Sequence, residues 1–145
     1  MGAPAPDFAA RAPDGSEMRL SDLRGRWVLV FFYPADFTPG CTAEACSLND
    51  SLDGLQEMGA TVIGVSSQDR DSHSRFQQRH GLLYPLAADT DRSIAEGFGV
   101  PGYPISNKSR RVSFLVDPEG RVAAVWPRVS PRTHAQQVLA AIRAQ

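Results

Sequence analysis

The chain holds only two cysteines, Cys41 and Cys46, five positions apart in Pro34-Ala35-Asp36-Phe37-Thr38-Pro39-Gly40-Cys41-Thr42-Ala43-Glu44-Ala45-Cys46. Two are too few to staple a fold, so their chemistry is the informative feature. Thr38 is a good helix cap and Pro39 a favoured first helical residue, which puts Cys41 at the third position of a helix. Backbone N–H groups at Gly40, Cys41 and Thr42 then lack intrahelical acceptors, and together with the positive end of the helix dipole they favour an anion. Thiols at helix N-termini ionise more readily than free ones, so a nucleophile is expected. The Thr38 hydroxyl lies one turn away, where it can donate to a thiolate or cap the helix.

Helical geometry separates the two cysteines by roughly 140° around the axis and by a Cα distance of roughly 8.7 Å. A disulfide tolerates at most about 7 Å. Cys41 shares a face with Ala45, Leu48, Leu52 and Leu55, and Cys46 lies with Asp50, Asp53 and Glu57 on the polar side. The pair cannot bridge while the helix is intact. This suggests a cycle in which Cys41 attacks an oxidant to become a sulfenic acid, and the helix start opens. Cys46 then condenses with the sulfenic acid, and a second protein reduces the disulfide by thiol exchange.

The elements that must position this pair read as alternating strands and helices. Asp7–Arg11 and Glu17–Leu20 flank Pro13-Asp14-Gly15-Ser16 as an N-terminal hairpin, followed by a short turn over residues 21–25. Trp27–Tyr33 is a continuous apolar run, as in a central strand covered on both faces. A helix is expected over Pro39–Met58, a strand over Thr61–Val65 and a helix over Asp69–His80, ended by Gly81. Pro85–Ala88 reads as a short strand and Asp91–Phe98 as a short helix. Strands Arg111–Val116 and Arg121–Trp126 flank Asp117-Pro118-Glu119-Gly120. Ser130 caps a last helix with Pro131 at its first position and an apolar stripe of Ala135, Val138, Leu139 and Ile142. An α/β sandwich around a mixed sheet follows.

The 145 residues suit a single domain over 1–145. Fifteen Lys and Arg against 16 Asp and Glu leave a net charge of −1, with no basic stripe, so neither nucleic acid nor a membrane surface is implied. The longest apolar run, seven residues, is far short of a membrane span, and Met1–Pro6 has no secretory character. A soluble, cytoplasmic protein is the expectation.

Pro34, Thr38 and Cys41 together form Pro-x-x-x-Thr-x-x-Cys, and Cys46 adds a second cysteine five residues on. With Thr61-Val62-Ile63-Gly64-Val65-Ser66, the Asp89–Gly99 region and Arg111-Val112-Ser113-Phe114-Leu115-Val116-Asp117-Pro118-Glu119-Gly120, the chain resembles the peroxiredoxins. The likeness is to the bacterioferritin comigratory protein, or Q-type, group. Ser47-Leu48-Asn49-Asp50 departs from it, since an aromatic residue and an arginine often follow the second cysteine there. The resemblance implies a thioredoxin-like fold with an N-terminal extension. It also implies a thiol-dependent peroxidase of hydrogen peroxide and organic hydroperoxides, recycled by thioredoxin or a similar dithiol, with no metal, haem or flavin. By position Cys41 matches the peroxidatic and Cys46 the resolving cysteine, joined in turn as a Cys41–Cys46 disulfide. Thr38 would orient the peroxide, Pro34 shield the pocket, and Arg111 hold the thiolate. Arg110 competes with Arg111 by periodicity, and the Arg-apolar-Ser-Phe pattern selects Arg111. Both cysteines on one chain suit a monomer.

Plainer readings attach to other residues. Glu44 reads as a first-turn acid that suits the dipole, outside the catalytic set. His73, His80 and His134 read as solvated helix residues, and Phe37 and Phe98 as candidates for the peroxide entrance. A general disulfide oxidoreductase would want Cys-x-x-Cys, which bridges across one turn. A copper-binding module would want the cysteines on a loop and a third ligand, for which His134 has no reason to approach.

Overall fold

The computed structural model describes residues 2–102, 108–127, 129 and 133–144. Strands β1 (Ala9–Arg11) and β2 (Glu17–Arg19) form the expected N-terminal hairpin, and Leu20–Leu23 follows as a 3-10 turn. The remaining strands are β3 (Trp27–Phe32), β4 (Ala60–Ser66), β5 (Leu86–Ala88), β6 (Val112–Val116) and β7 (Val122–Trp126). The helices are α1 (Pro39–Asp50), α2 (Leu52–Glu57), α3 (Arg70–His80), α4 (Ser93–Phe98) and α5 (His134–Arg143).

The seven strands among the described residues join one sheet in the order β2-β1-β5-β4-β3-β6-β7. The β3–β4 and β4–β5 pairs are parallel and the others antiparallel, so the sheet is mixed, as expected. β3 lies near its middle and is buried on both faces, which is why its sequence is apolar without alternation. Leu29, Phe31 and Tyr33 face a core built with α1, α2, Phe76 of α3 and α5. Val28, Val30 and Phe32 face a second core with Phe8, Ala10 and Ala95 of α4. Pairing of Phe32 with Val112 sets the start of β6 beside the exit of β3, where the motif loop begins.

The helix expected over Pro39–Met58 is two helices. Ser51, at φ −96° and ψ 3°, separates them, within Asn49-Asp50-Ser51, whose short polar side chains compete with helical hydrogen bonding. Asn49 turns its side chain to Leu83 N and Gly81 O instead. The apolar stripe survives the break, since Cys41, Ala45, Leu48, Leu52 and Leu55 are all buried. Asp69 caps α3 by accepting from Ser72 N, and Gly81 ends it at φ 61°. α4 begins at Ser93, two residues later than expected, because Arg92 takes a left-handed conformation at φ 61°. Ser130 and Pro131 lie outside the described residues, whereas Ala135, Val138 and Ile142 of the α5 stripe are buried.

Candidate active site

α1 starts at Pro39 with Thr38 in the cap position, so Cys41 is the third helical residue. Thr38 does not cap with its side chain. Its hydroxyl donates to Ala35 O at 3.0 Å, folding the loop back on itself. The backbone donors of the first turn are therefore not taken by Thr38 Oγ1. Cys41 is 1 % exposed and belongs to the core cluster that includes Leu29, Phe31, Leu48 and Leu115.

Arg111, immediately before β6, reaches Cys41 from the strand side. Its Nη2 donates to Cys41 Sγ at 3.2 Å, and its Nη1 donates to Glu44 Oε1 at 2.6 Å. One guanidinium thus bridges the thiol and a carboxylate one helical turn further on. The site leaves little room at Gly40, since a Cβ there would stand 3.2 Å from Arg111 Nη2 and the guanidinium would have to give by a few tenths of an ångström. Burial works against the Arg111 charge, but Glu44 and Cys41 outweigh it and hold the guanidinium above its ordinary range.

Glu44 is the residue that sequence reasoning left out. It is fully buried and paired with Arg111, so it does more than suit the helix dipole. Burial pushes its carboxyl up to about 7, and Arg111 pulls in the opposite direction. Its Oε2 meets no donor among the described residues. Its place three residues after Cys41, on the same side of the helix, was the available signal.

Cys46 sits about one and a half turns further along, on the outer part of α1, half-buried, beside an open depression lined by Ala43, Ser47, Asp50 and Ser51. Burial and then Asp50 push its thiol up. Both thiols are free, and both lie inside an unbroken α1, so helical geometry keeps their Cα atoms roughly 8.7 Å apart. Between them Tyr84, itself buried, donates to Ala45 O at 2.9 Å and fastens the middle of the helix to the core. Pro34 stands at the exit of β3, where its carbonyl accepts from Ser66 Oγ at 3.4 Å.

Three expectations are corrected here. His73 and His134 are buried, not solvated, at 3 % and 0 % exposure. His73 is drawn in by Asp36, and His134 packs edge-on to Trp126 with ring centroids 5.2 Å apart. Phe98 packs against Phe8, Phe32 and Phe114 on the sheet face opposite Cys41, so it is no part of an entrance to this site. Phe37 is on the Cys41 side and half-exposed. Among the described residues no cluster of three or more His, Cys, Asp or Glu could hold a metal, and no helix is long and apolar enough to cross a membrane.

Residues 1–125 match the model of the AhpC/TSA family. The chain is 33 % identical over 150 residues to peroxiredoxin Bcp of Bacillus subtilis, covering 99 % of this chain and 94 % of that protein. Among solved structures it is similar to peroxidoxin BcpB from Mycobacterium tuberculosis, with a TM-score of 0.88, 33 % identity, and 99 % and 96 % of the two chains covered. It is also similar to the Xanthomonas campestris bacterioferritin comigratory protein, described in a trapped intermediate/ligand complex bearing on its alkyl peroxide reduction activity. There the TM-score is 0.84 and the identity 32 %, over 94 % of this chain and 90 % of that one.

Proposed function

The chain belongs to the AhpC/TSA family and is a thiol-dependent peroxidase of the Bcp/Q-type peroxiredoxin kind, and from that premise we propose that Cys41 is its peroxide-reactive thiolate and Cys46 its resolving thiol. The observation that carries this reading is the Arg111 Nη2 donor 3.2 Å from Cys41 Sγ at the start of α1. A guanidinium and a helix N-terminus converge on one buried sulfur, an arrangement suited to an anion.

The thiolate gives an electron pair to the outer oxygen of a hydroperoxide. The S–O bond forms, the O–O bond breaks, and the departing alkoxide or hydroxide takes a proton to leave as alcohol or water. Cys41 is then a sulfenic acid, the sulfur oxidised and the peroxide reduced by two electrons. Arg111 holds the sulfur, and its fixed donor is placed to face charge as it develops on the departing oxygen. Thr38 and Pro34 shape the loop that brings the sulfur there.

In the second step the Cys46 thiolate attacks the Cys41 sulfenic sulfur. The S–S bond forms, and hydroxide departs and takes a proton as water. Because α1 keeps the two cysteines beyond disulfide reach, its first turns open for this step. A dithiol protein of the thioredoxin kind then restores both thiols and becomes a disulfide itself. Hydrogen peroxide and organic hydroperoxides are the substrates, the chemistry runs on thiols alone, and a cytoplasmic monomer of one domain over 1–145 suffices, without nucleic acid or membrane.

The test is consumption of hydrogen peroxide and of an alkyl hydroperoxide with thioredoxin, thioredoxin reductase and NADPH. Wild type is expected to turn over both, Cys41→Ser neither. Turnover by Cys41→Ser at the wild-type rate would contradict the assignment.

A further inference from the structure

The loop that delivers Cys41 to the head of α1 is fastened to α3 through buried groups the peroxide chemistry does not use. Asp36 accepts from Tyr33 Oη at 2.6 Å on one oxygen, and from Ser72 Oγ at 2.8 Å and His73 Nδ1 at 2.7 Å on the other. The His73 Nε2 faces Ala87 O at 3.0 Å. Both ring nitrogens thus face acceptors, and the His73 and Asp36 side chains are both at most 3 % exposed.

The next loop residue adds a second grip. The Phe37 ring lies edge-on to Phe76 at 5.1 Å and 6.3 Å from His80. Its backbone is held at φ 64°, a left-handed setting that an aromatic residue keeps only under constraint. Ser72, His73, Phe76 and His80 recur at helical spacing along one face of α3. Two consecutive loop residues therefore clasp that face just ahead of the turn that carries Cys41.

We propose that His73 is a positioning residue for Cys41, acting through Asp36 to set the balance between a closed loop that reacts with peroxide and an open one in which Cys46 reaches the oxidised sulfur. The inference rests on the two-cysteine reading above. Opening that lifts Asp36 off α3 breaks its buried hydrogen bonds to Ser72 and His73, which biases the loop towards closure. Without His73 the loop opens more readily. Cys41 then spends less time beside Arg111, its sulfenic acid meets Cys46 sooner, and it is overoxidised less.

Rapid mixing of reduced protein with excess hydrogen peroxide, followed by the fluorescence of Trp27 and Trp126, separates a peroxide-dependent phase from a peroxide-independent one. In His73→Leu the first phase is expected to slow about tenfold and the second to quicken several-fold, the scale of one lost charge-assisted hydrogen bond. Intact mass at high peroxide should show less sulfinic acid on Cys41. His73→Asn keeps a donor near the Nδ1 position and should bring both phases back to within about threefold of wild type. A general loosening of the fold would slow one phase without quickening the other, and Asn would not rescue it. A folded His73→Leu with both phases within about twofold of wild type overturns the proposal. Should His73→Leu fail to fold, Ser72→Ala and Phe37→Ala carry the same prediction, and unchanged phases in both overturn it. A wild type with only one phase, or a Cys46→Ser that keeps the second, overturns the two-cysteine reading and the clasp together. Two phases in wild type and in unaffected variants overturn the clasp alone.

Discussion

Cys41 meets positive potential from two directions, the first turn of α1 on one side and Arg111 on the other. The arginine is itself held by Glu44, and its Nη2, the donor to Cys41, passes within reach of Gly40. Gly40→Ala separates stability from chemistry. Alanine favours a helix over glycine by about 0.5–1 kcal/mol, so the variant should resist denaturant at least as well as wild type. Its Cβ at 3.2 Å from Nη2 pushes Arg111 aside, and the peroxide-dependent rate should fall several-fold in rapid mixing. Arg111→Met removes the donor outright and should cost about 10²-fold or more in that rate. Glu44 sets a pH dependence. Its carboxyl is raised from 4.5 to about 7 in the folded chain, so the folded state prefers the protonated form. The stability this contributes is present below about pH 4.5 and is lost as pH rises through about 7. Wild type should lose stability across that window relative to Glu44→Gln, read as the gap between their denaturation midpoints at pH 5 and pH 8. The place of Cys41 at the head of α1 and the choice of Arg111 as the arginine that reaches it were legible, because each occupies a fixed place in a motif. Glu44 was not, because an acid near a helix start is ordinary, and only the approach of Arg111 from a strand 67 residues away makes it part of the site.

At the scale of elements, α1 has two duties in conflict. Intact, it places Cys41 beside Arg111, whereas the resolving step proposed for Cys46 needs it open. Tyr84 fastens the segment between the cysteines through its bond to Ala45 O. Tyr84→Phe removes a bond of about 1 kcal/mol without removing the ring, so the peroxide-independent phase should quicken several-fold in rapid mixing. Element types and most of their order were readable from apolar spacing, turn residues and caps. The break at Ser51 was not, since the apolar stripe runs across it unbroken and only the tertiary bonds of Asn49 to Gly81 and Leu83 favour it. The depth of His73 was equally hidden, because a histidine on a polar helix gives no sign that a loop aspartate will reach it.

At the scale of the molecule, the site exists because the sheet brings distant segments together. β3 pairs with β4 on one side and β6 on the other, so the strand that ends at the motif loop also lies beside the strand that follows directly on Arg111. That adjacency cannot be read from periodicity, which assigns strands but not their order. The sheet tolerates little added volume near β3. A Cβ on Gly64 would stand 2.6 Å from Leu86 Cδ2 and 2.9 Å from the Phe31 ring. Gly64→Ala should therefore destabilise the fold by about 1–3 kcal/mol, seen as a lower midpoint in chemical denaturation.

The most direct test of the account is the intact mass of the reduced protein after one equivalent of hydrogen peroxide, for wild type, Cys41→Ser and Cys46→Ser. The account predicts that wild type loses two hydrogens, that Cys46→Ser gains one oxygen captured by a sulfenic-acid reagent, and that Cys41→Ser is unchanged. Oxidation of Cys41→Ser as fast as wild type would contradict it.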